Sequence, residues 1–176
     1  MKFRNYQSKI IDKGAAILAA KRFVYLSMEV RTGKTLTSLG ILNKMMSVNK
    51  GNVLFITKKK AMSSISNDYE LLCPISYSLF IINYESLHKI PDVKWDAIVC
   101  DEAHSMGAFP KPSKRAKQVK ELMIKNNPYV IFLSGTPTPE SFSQIYHQVY
   151  GLPTNPFRNY TNFYKFANEH VVPKTK

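Results

Sequence analysis

Three short stretches of the 176-residue chain carry residue types that, brought together, would handle a phosphorylated ligand. Gly33-Lys34-Thr35 follows an apolar run and opens a helical pattern. A helix start offers an anion its unpaired backbone N–H groups and the positive end of the helix dipole. In a phosphate cradle of this kind Arg31, Thr32 and Gly33 form the loop, Lys34 neutralises β/γ oxygens and the Thr35 hydroxyl ligates Mg²⁺. The second stretch is Asp101-Glu102-Ala103-His104, directly after the apolar residues Ala97 to Cys100. A carboxylate at a strand's C-terminal edge can hold the Mg²⁺ shell while its neighbour orients and deprotonates water, roles that fall to Asp101 and Glu102 in turn. The third, Ser134-Gly135-Thr136, leaves another apolar strand and offers two hydroxyls to the acidic turn. With His104 it forms the candidate coupling set.

Each stretch has a plainer reading. The usual first glycine of the cradle, five residues before Gly33, is Met28, and Arg31 stands where a small residue is expected. "DEAH" alone fits a solvated acidic turn, and a zinc site there would be short of ligands. "SGTP" alone is an ordinary Gly-Pro loop. Weight comes from finding all three in order, each at a strand exit.

The elements that must position these residues follow from hydrophobic periodicity. Ile10, Ile11, Ile17 and Leu18 suit a helix, "FVYLSM" from Phe23 a buried strand, and Leu36, Leu39, Ile41 and Leu42 a helix ended by Asn49 and Gly51. Thereafter "NVLFIT", "SLFIIN", "AIVC" and "YVIFLS" read as strands, and "AMSSISNDYELL", "KRAKQVKELMIK" and "ESFSQIYHQVYG" as helices. Near-continuous apolar strands alternating with helices imply an α/β fold, a mostly parallel sheet covered by helices on both faces. Residues 1–151 form the expected domain. From Leu152 the chain changes to a Pro-punctuated, aromatic tail read as a linker or docking segment, without a partner strand for its aromatic stretch.

Composition bounds the partners. Hydrophobic residues make up 44 % of the chain, enough for one well-filled core. Apolar runs are strand-sized, and no stretch could span a bilayer as a helix. The N-terminus lacks a secretory pattern, which points to the cytoplasm, or a host's cytoplasm for a viral protein. Cys73 and Cys100 are too few for a disulfide framework. The 25 Lys and Arg against 12 Asp and Glu leave a formal charge of +13. That excess favours a polyanion, nucleic acid before membrane, over a surface merely kept soluble by lysine. Lys111, Lys114, Arg115, Lys117, Lys120 and Lys125 crowd one segment, as a phosphate-tracking patch or a solvated helix face.

With these motifs in this order the chain resembles the first RecA-like lobe of superfamily-two helicases, nearest in flavour to Swi/Snf-type translocases and their phage relatives. The resemblance covers nearly the whole chain and implies a P-loop NTPase lobe that binds ATP with Mg²⁺ and moves on double-stranded DNA through backbone contacts. It implies that Arg4, Tyr6 and Gln7 in "FRNYQ" read adenine, where a Gln amide can pair with both N6 and N7. It also assigns DNA-backbone contacts to Thr57 and Lys58 in "ITKKK" and to Asn83 and Tyr84 in "IINYESL", beside Lys111, Lys114 and Arg115. Each of these has a rival as core or solvated surface. Family members close a second lobe, carrying transition-state arginines, around the nucleotide. None is expected within this chain, so it should hydrolyse ATP feebly by itself. A DNA-binding or regulatory module that kept the pocket is the alternative, while a small-molecule phosphotransferase leaves "SGTP" and "FRNYQ" without a role.

Overall fold

The computed structural model describes residues 2–28, 33–46, 51–74, 76–103, 114–135 and 171–172. Among the described residues, four helices and six strands run α1 (Asn5–Lys21), β1 (Phe23–Ser27), α2 (Lys34–Met45), β2 (Gly51–Thr57), α3 (Met62–Leu72), β3 (Tyr77–Asn83), β4 (Ala97–Cys100), α4 (Lys114–Asn126), β5 (Tyr129–Ser134) and β6 (Val171–Val172). A 3-10 turn, Tyr84–Lys89, follows β3 directly. The strands form one sheet in the order β3-β2-β4-β5-β1-β6, and every pairing is parallel. An all-parallel sheet needs crossovers and cover on both faces, and that is the reason the strands carry apolar residues at consecutive positions instead of alternating.

Strand alternation divides the core in two. Val24, Leu26, Val53, Phe55, Val99, Ile131 and Leu133 face α1, α2 and α3. Phe23, Tyr25, Leu54, Ile56, Ile98 and Phe132 face the opposite layer, closed by Val119 and Met123 of α4 and by Tyr84 and Leu87 of the turn. Phe132 meets Phe23 edge-on at 5.0 Å between centroids, a favoured aromatic geometry. The helices expected before Phe23, from Thr35, in "AMSSISNDYELL" and in "KRAKQVKELMIK" all form. The second ends at Met45, short of Asn49. The helix expected at "ESFSQIYHQVYG" lies outside the described residues. In the tail, Val171–Val172 adds a sixth strand by pairing with Tyr25 and Leu26 of β1, a long-range contact that local periodicity does not encode.

Helices α1 and α2 approach closely at Gly40, where an added Cβ would lie 2.7 Å from Ile11 Cδ1 and 3.0 Å from Phe3 Cζ. Alanine there would gain helix propensity of up to about 1 kcal/mol and incur overpacking of about 1–3 kcal/mol. Gly40→Ala is therefore expected to destabilise the fold by about 1 kcal/mol, read as a lower urea midpoint at unchanged slope.

Candidate functional site

The parallel register explains how residues 68 positions apart meet. Ile56 pairs with Cys100, so the next residues along, Thr57 and Asp101, emerge together from the C-terminal edge of β2 and β4. The Thr57 hydroxyl donates to Asp101 Oδ2 at 2.8 Å, and Asp101 N–H donates to the Ile56 carbonyl at 2.8 Å. Alternation turns both side chains toward the layer that holds α2. There Lys34, the first residue of α2, brings its Nζ to 3.4 Å from Asp101 Oδ1 and 3.1 Å from Glu102 Oε1. The Lys34 and Asp101 side chains are 15 % and 7 % exposed, so this triad is poorly screened by solvent.

Gly33 caps α2 in the left-handed region, φ 77°, where only glycine sits without strain. A side chain there would also collide with the Gln7 amide. Gln7 is buried, and its Oε1 accepts the Arg4 backbone N–H at 3.0 Å, closing the start of α1. This sets the Gln7 amide of "FRNYQ" against Gly33. Arg4 also donates to the Tyr6 hydroxyl at 3.4 Å. Thr37 and Ser38 spend their hydroxyls on carbonyls within α2, at Gly33 and Thr35.

The acidic turn is strained and pinned. Glu102 takes φ 52°, a conformation rare for a residue with a side chain. Its N–H donates to Asp101 Oδ1 at 3.0 Å, while the Asp101 carbonyl accepts the Tyr84 hydroxyl at 2.6 Å. Burial holds the Tyr84 phenol well above its usual pKa, with Cys100 and Asp101 adding to the effect. It is a neutral donor at ordinary pH. Ser134, at the end of β5, is buried and pairs in register with Ser27. Its carbonyl accepts Met28 N–H at 3.2 Å, and Gly135 follows it at the same edge. The buried hydroxyls of Tyr25 and Ser27 make no well-formed hydrogen bond among the described residues, although Ser134 lies near enough to oppose the burial that raises the Tyr25 phenol.

Two expected DNA contacts need correction. Thr57 is 0 % and Tyr84 1 % exposed, and each hydroxyl is committed to Asp101, so neither presents a surface to a polyanion. Of the others, Lys58 and Lys114 are exposed. Asn83 Nδ2 donates to Glu85 Oε2 at 3.0 Å, and Arg115 Nη2 to Glu85 Oε1 at 2.7 Å. Arg31, Thr32, His104, Lys111 and Thr136 lie outside the described residues. No cluster of three or more metal-ligating side chains of the His, Cys, Asp and Glu types occurs among the described residues. The Asp101 carboxylate and the Thr35 hydroxyl are oxygen groups of the sort Mg²⁺ accepts when phosphate and water complete its shell.

The structure brings together Lys34, Asp101 and Glu102, the three residues singled out from the sequence, and adds Tyr84, whose hydroxyl bond to the Asp101 carbonyl sequence reasoning missed. The usable signal was weak: an aromatic directly after an apolar strand, next to the acidic Glu85.

The family model described as "SNF2-related domain" matches residues 52–175. The chain is 30 % identical over 112 residues to the RNA polymerase-associated protein RapA of Yersinia pestis, a match covering 62 % of this chain and 11 % of that protein. RapA of Serratia proteamaculans is 32 % identical over 102 residues, covering 56 % and 10 %. The chain thus matches only about a tenth of the length of these relatives. Among solved structures, the Sulfolobus solfataricus SWI2/SNF2 ATPase core in complex with dsDNA superposes with a TM-score of 0.69 at 16 % identity, over 99 % of this chain and 44 % of that one. The Pyrococcus furiosus Hef helicase domain gives 0.64 at 15 % identity, over 98 % and 38 %. At such identities the likeness speaks for the fold alone. Sheet order, motif placement and the family match together settle the assignment: this chain belongs to the SNF2-related domain family, as an N-terminal RecA-like lobe of its Swi/Snf-like ATPase core.

Proposed function

We propose that the chain is the ATP-binding first motor lobe of a DNA translocase or helicase, coupling ATP hydrolysis to movement along DNA. The observation that carries this reading is the meeting of Lys34 Nζ with both Asp101 and Glu102 at one sheet edge, in front of the N-terminus of α2. In this reading the Gly33 loop and α2 amides cradle the phosphates, with Arg31 and Thr32 completing the loop, and Lys34 leaves its carboxylates to neutralise β/γ oxygens. Thr35 and Asp101 hold Mg²⁺, which supplies charge neutralisation on the phosphates when bound. Glu102 orients water and takes its proton. Arg4, Tyr6 and Gln7 flank the adenine, and His104, Ser134, Gly135 and Thr136 couple the acidic turn to the rest of the edge.

Lys58, Lys111 and Lys114 then meet phosphates of DNA, with Asn83 and Arg115 near them. Contacts of this sort bring salt-dependent affinity with little sequence choice. Turnover by this lobe alone is weak, because transition-state arginines come from a second RecA-like lobe, in cis or in trans, and are worth on the order of a thousandfold or more in rate.

The test is ATPase activity with and without duplex DNA, and with a second lobe added in trans. Nucleotide binding with low turnover that rises with both additions supports the motor. Binding that never leads to turnover favours a regulatory module instead. In parallel, the DNA affinity of the 176-residue chain is expected to fall linearly on a logarithmic salt scale, with a slope near −0.9 for each phosphate contacted. A flat salt response would remove the electrostatic argument.

A further inference from the structure

The 101–102 peptide is clamped at both ends. Its carbonyl accepts the Tyr84 hydroxyl at 2.6 Å, and its N–H is held by the Asp101 carboxylate at 3.0 Å. Rotation of this one peptide plane sets the φ of Glu102, which stands at a strained 52°. Where Glu102 Oε1 lies, and with it the 3.1 Å contact to Lys34, therefore depends on a hydroxyl that belongs to neither motif. Strained conformations persist only where surrounding contacts over-determine them.

Tyr84 is in turn braced from outside. The Arg115 guanidinium of α4 sits 5.1 Å from the centroid of its ring and is oriented by Glu85, whose other oxygen accepts from Asn83. A continuous line of contacts thus runs from the basic helix to the acidic turn: Arg115, the Tyr84 ring, the Tyr84 hydroxyl, the 101–102 peptide, Glu102.

We propose that Tyr84 is a positioning residue for Glu102, holding the peptide that aims its carboxylate, with Arg115 as the brace that keeps the ring in place. The part of this that concerns turnover rests on the ATPase reading above. Tyr84→Phe keeps the ring and removes the clamp. Leaving the buried Asp101 carbonyl without its donor is worth about tenfold or more in a local opening equilibrium. In the full chain, amide hydrogen exchange at Glu102 is expected to quicken about tenfold or more, while amides of β4 and β5 keep their rates. Turnover falls by a comparable factor with Mg-ATP affinity within about twofold.

A tyrosine that merely fills space would change the melting temperature and leave exchange at Glu102 in step with its neighbours. That result, or wild-type exchange in a folded variant, overturns the proposal. Should Tyr84→Phe fail to fold, Arg115→Ala loosens the same ring from the surface and is expected to give a smaller but equally local rise at Glu102; no local rise overturns the proposal too. Selective exchange at Glu102 in a chain that binds no Mg-ATP supports the positioning link and sinks the ATPase reading.

Discussion

Replacing Lys34 by alanine is expected to weaken Mg-ATP binding by at least about a hundredfold. A charged donor to phosphate is worth about 1.5–3 kcal/mol per hydrogen bond, and two such bonds to β and γ oxygens amount to two to four decades in the dissociation constant. The effect does not come from phosphate alone. Lys34 Nζ stands 3.4 Å from Asp101 and 3.1 Å from Glu102, so its removal leaves two carboxylates facing each other where an anion must enter. Both consequences act against the nucleotide. Titration of a fluorescent ATP analogue measures the loss, and a cooperative urea transition in the same sample separates lost affinity from lost structure. Affinity within threefold of the parent chain would end the cradle assignment.

Replacing Glu102 by glutamine should do the opposite: leave binding nearly intact and remove turnover. Glutamine keeps the shape and an acceptor for Lys34 but cannot take a proton, and general-base catalysis contributes typically 10²–10⁴-fold. Expected are a Mg-ATP dissociation constant within about threefold of the parent and, with DNA and a second lobe present, a rate lower by about a hundredfold or more. The strained backbone at Glu102 motivates this residue as the base, since strain held in place by surrounding contacts clusters at active sites. Single-turnover hydrolysis is the appropriate measurement, because it separates chemistry from product release. A variant retaining a tenth of the parent rate would assign the water to another group.

Much of the molecule was legible without coordinates because its signals are local. Apolar runs such as "VLFI" and "YVIFL" cannot be half-exposed, so they announce buried parallel strands. Gly33-Lys34-Thr35 marked a helix start, and Gly33 there takes the positive φ of 77° that glycine allows. What could not be read was anything that depends on which strands lie side by side. The family resemblance of "IINYESL" assigned Tyr84 to DNA while its aromatic ring alone suited a core position, and the turn after β3 folds it under the acidic loop at 1 % exposure. Thr57 was likewise assigned to DNA by the resemblance of "ITKKK", but the β2–β4 register spends its hydroxyl on Asp101.

The sequence by itself determined the element types, the three motifs and their order, since these follow from residue chemistry and short-range periodicity. Only the tertiary structure decided that Lys34 lies within 3.4 Å of both acids, that the hydroxyls of Thr57 and Tyr84 are spent on Asp101, and that residues 171–172 pair with β1. The physical reason is that hydrogen bonds between parallel strands fix register across long sequence separations, and a shift of one residue would turn Thr57 and Asp101 to the opposite face.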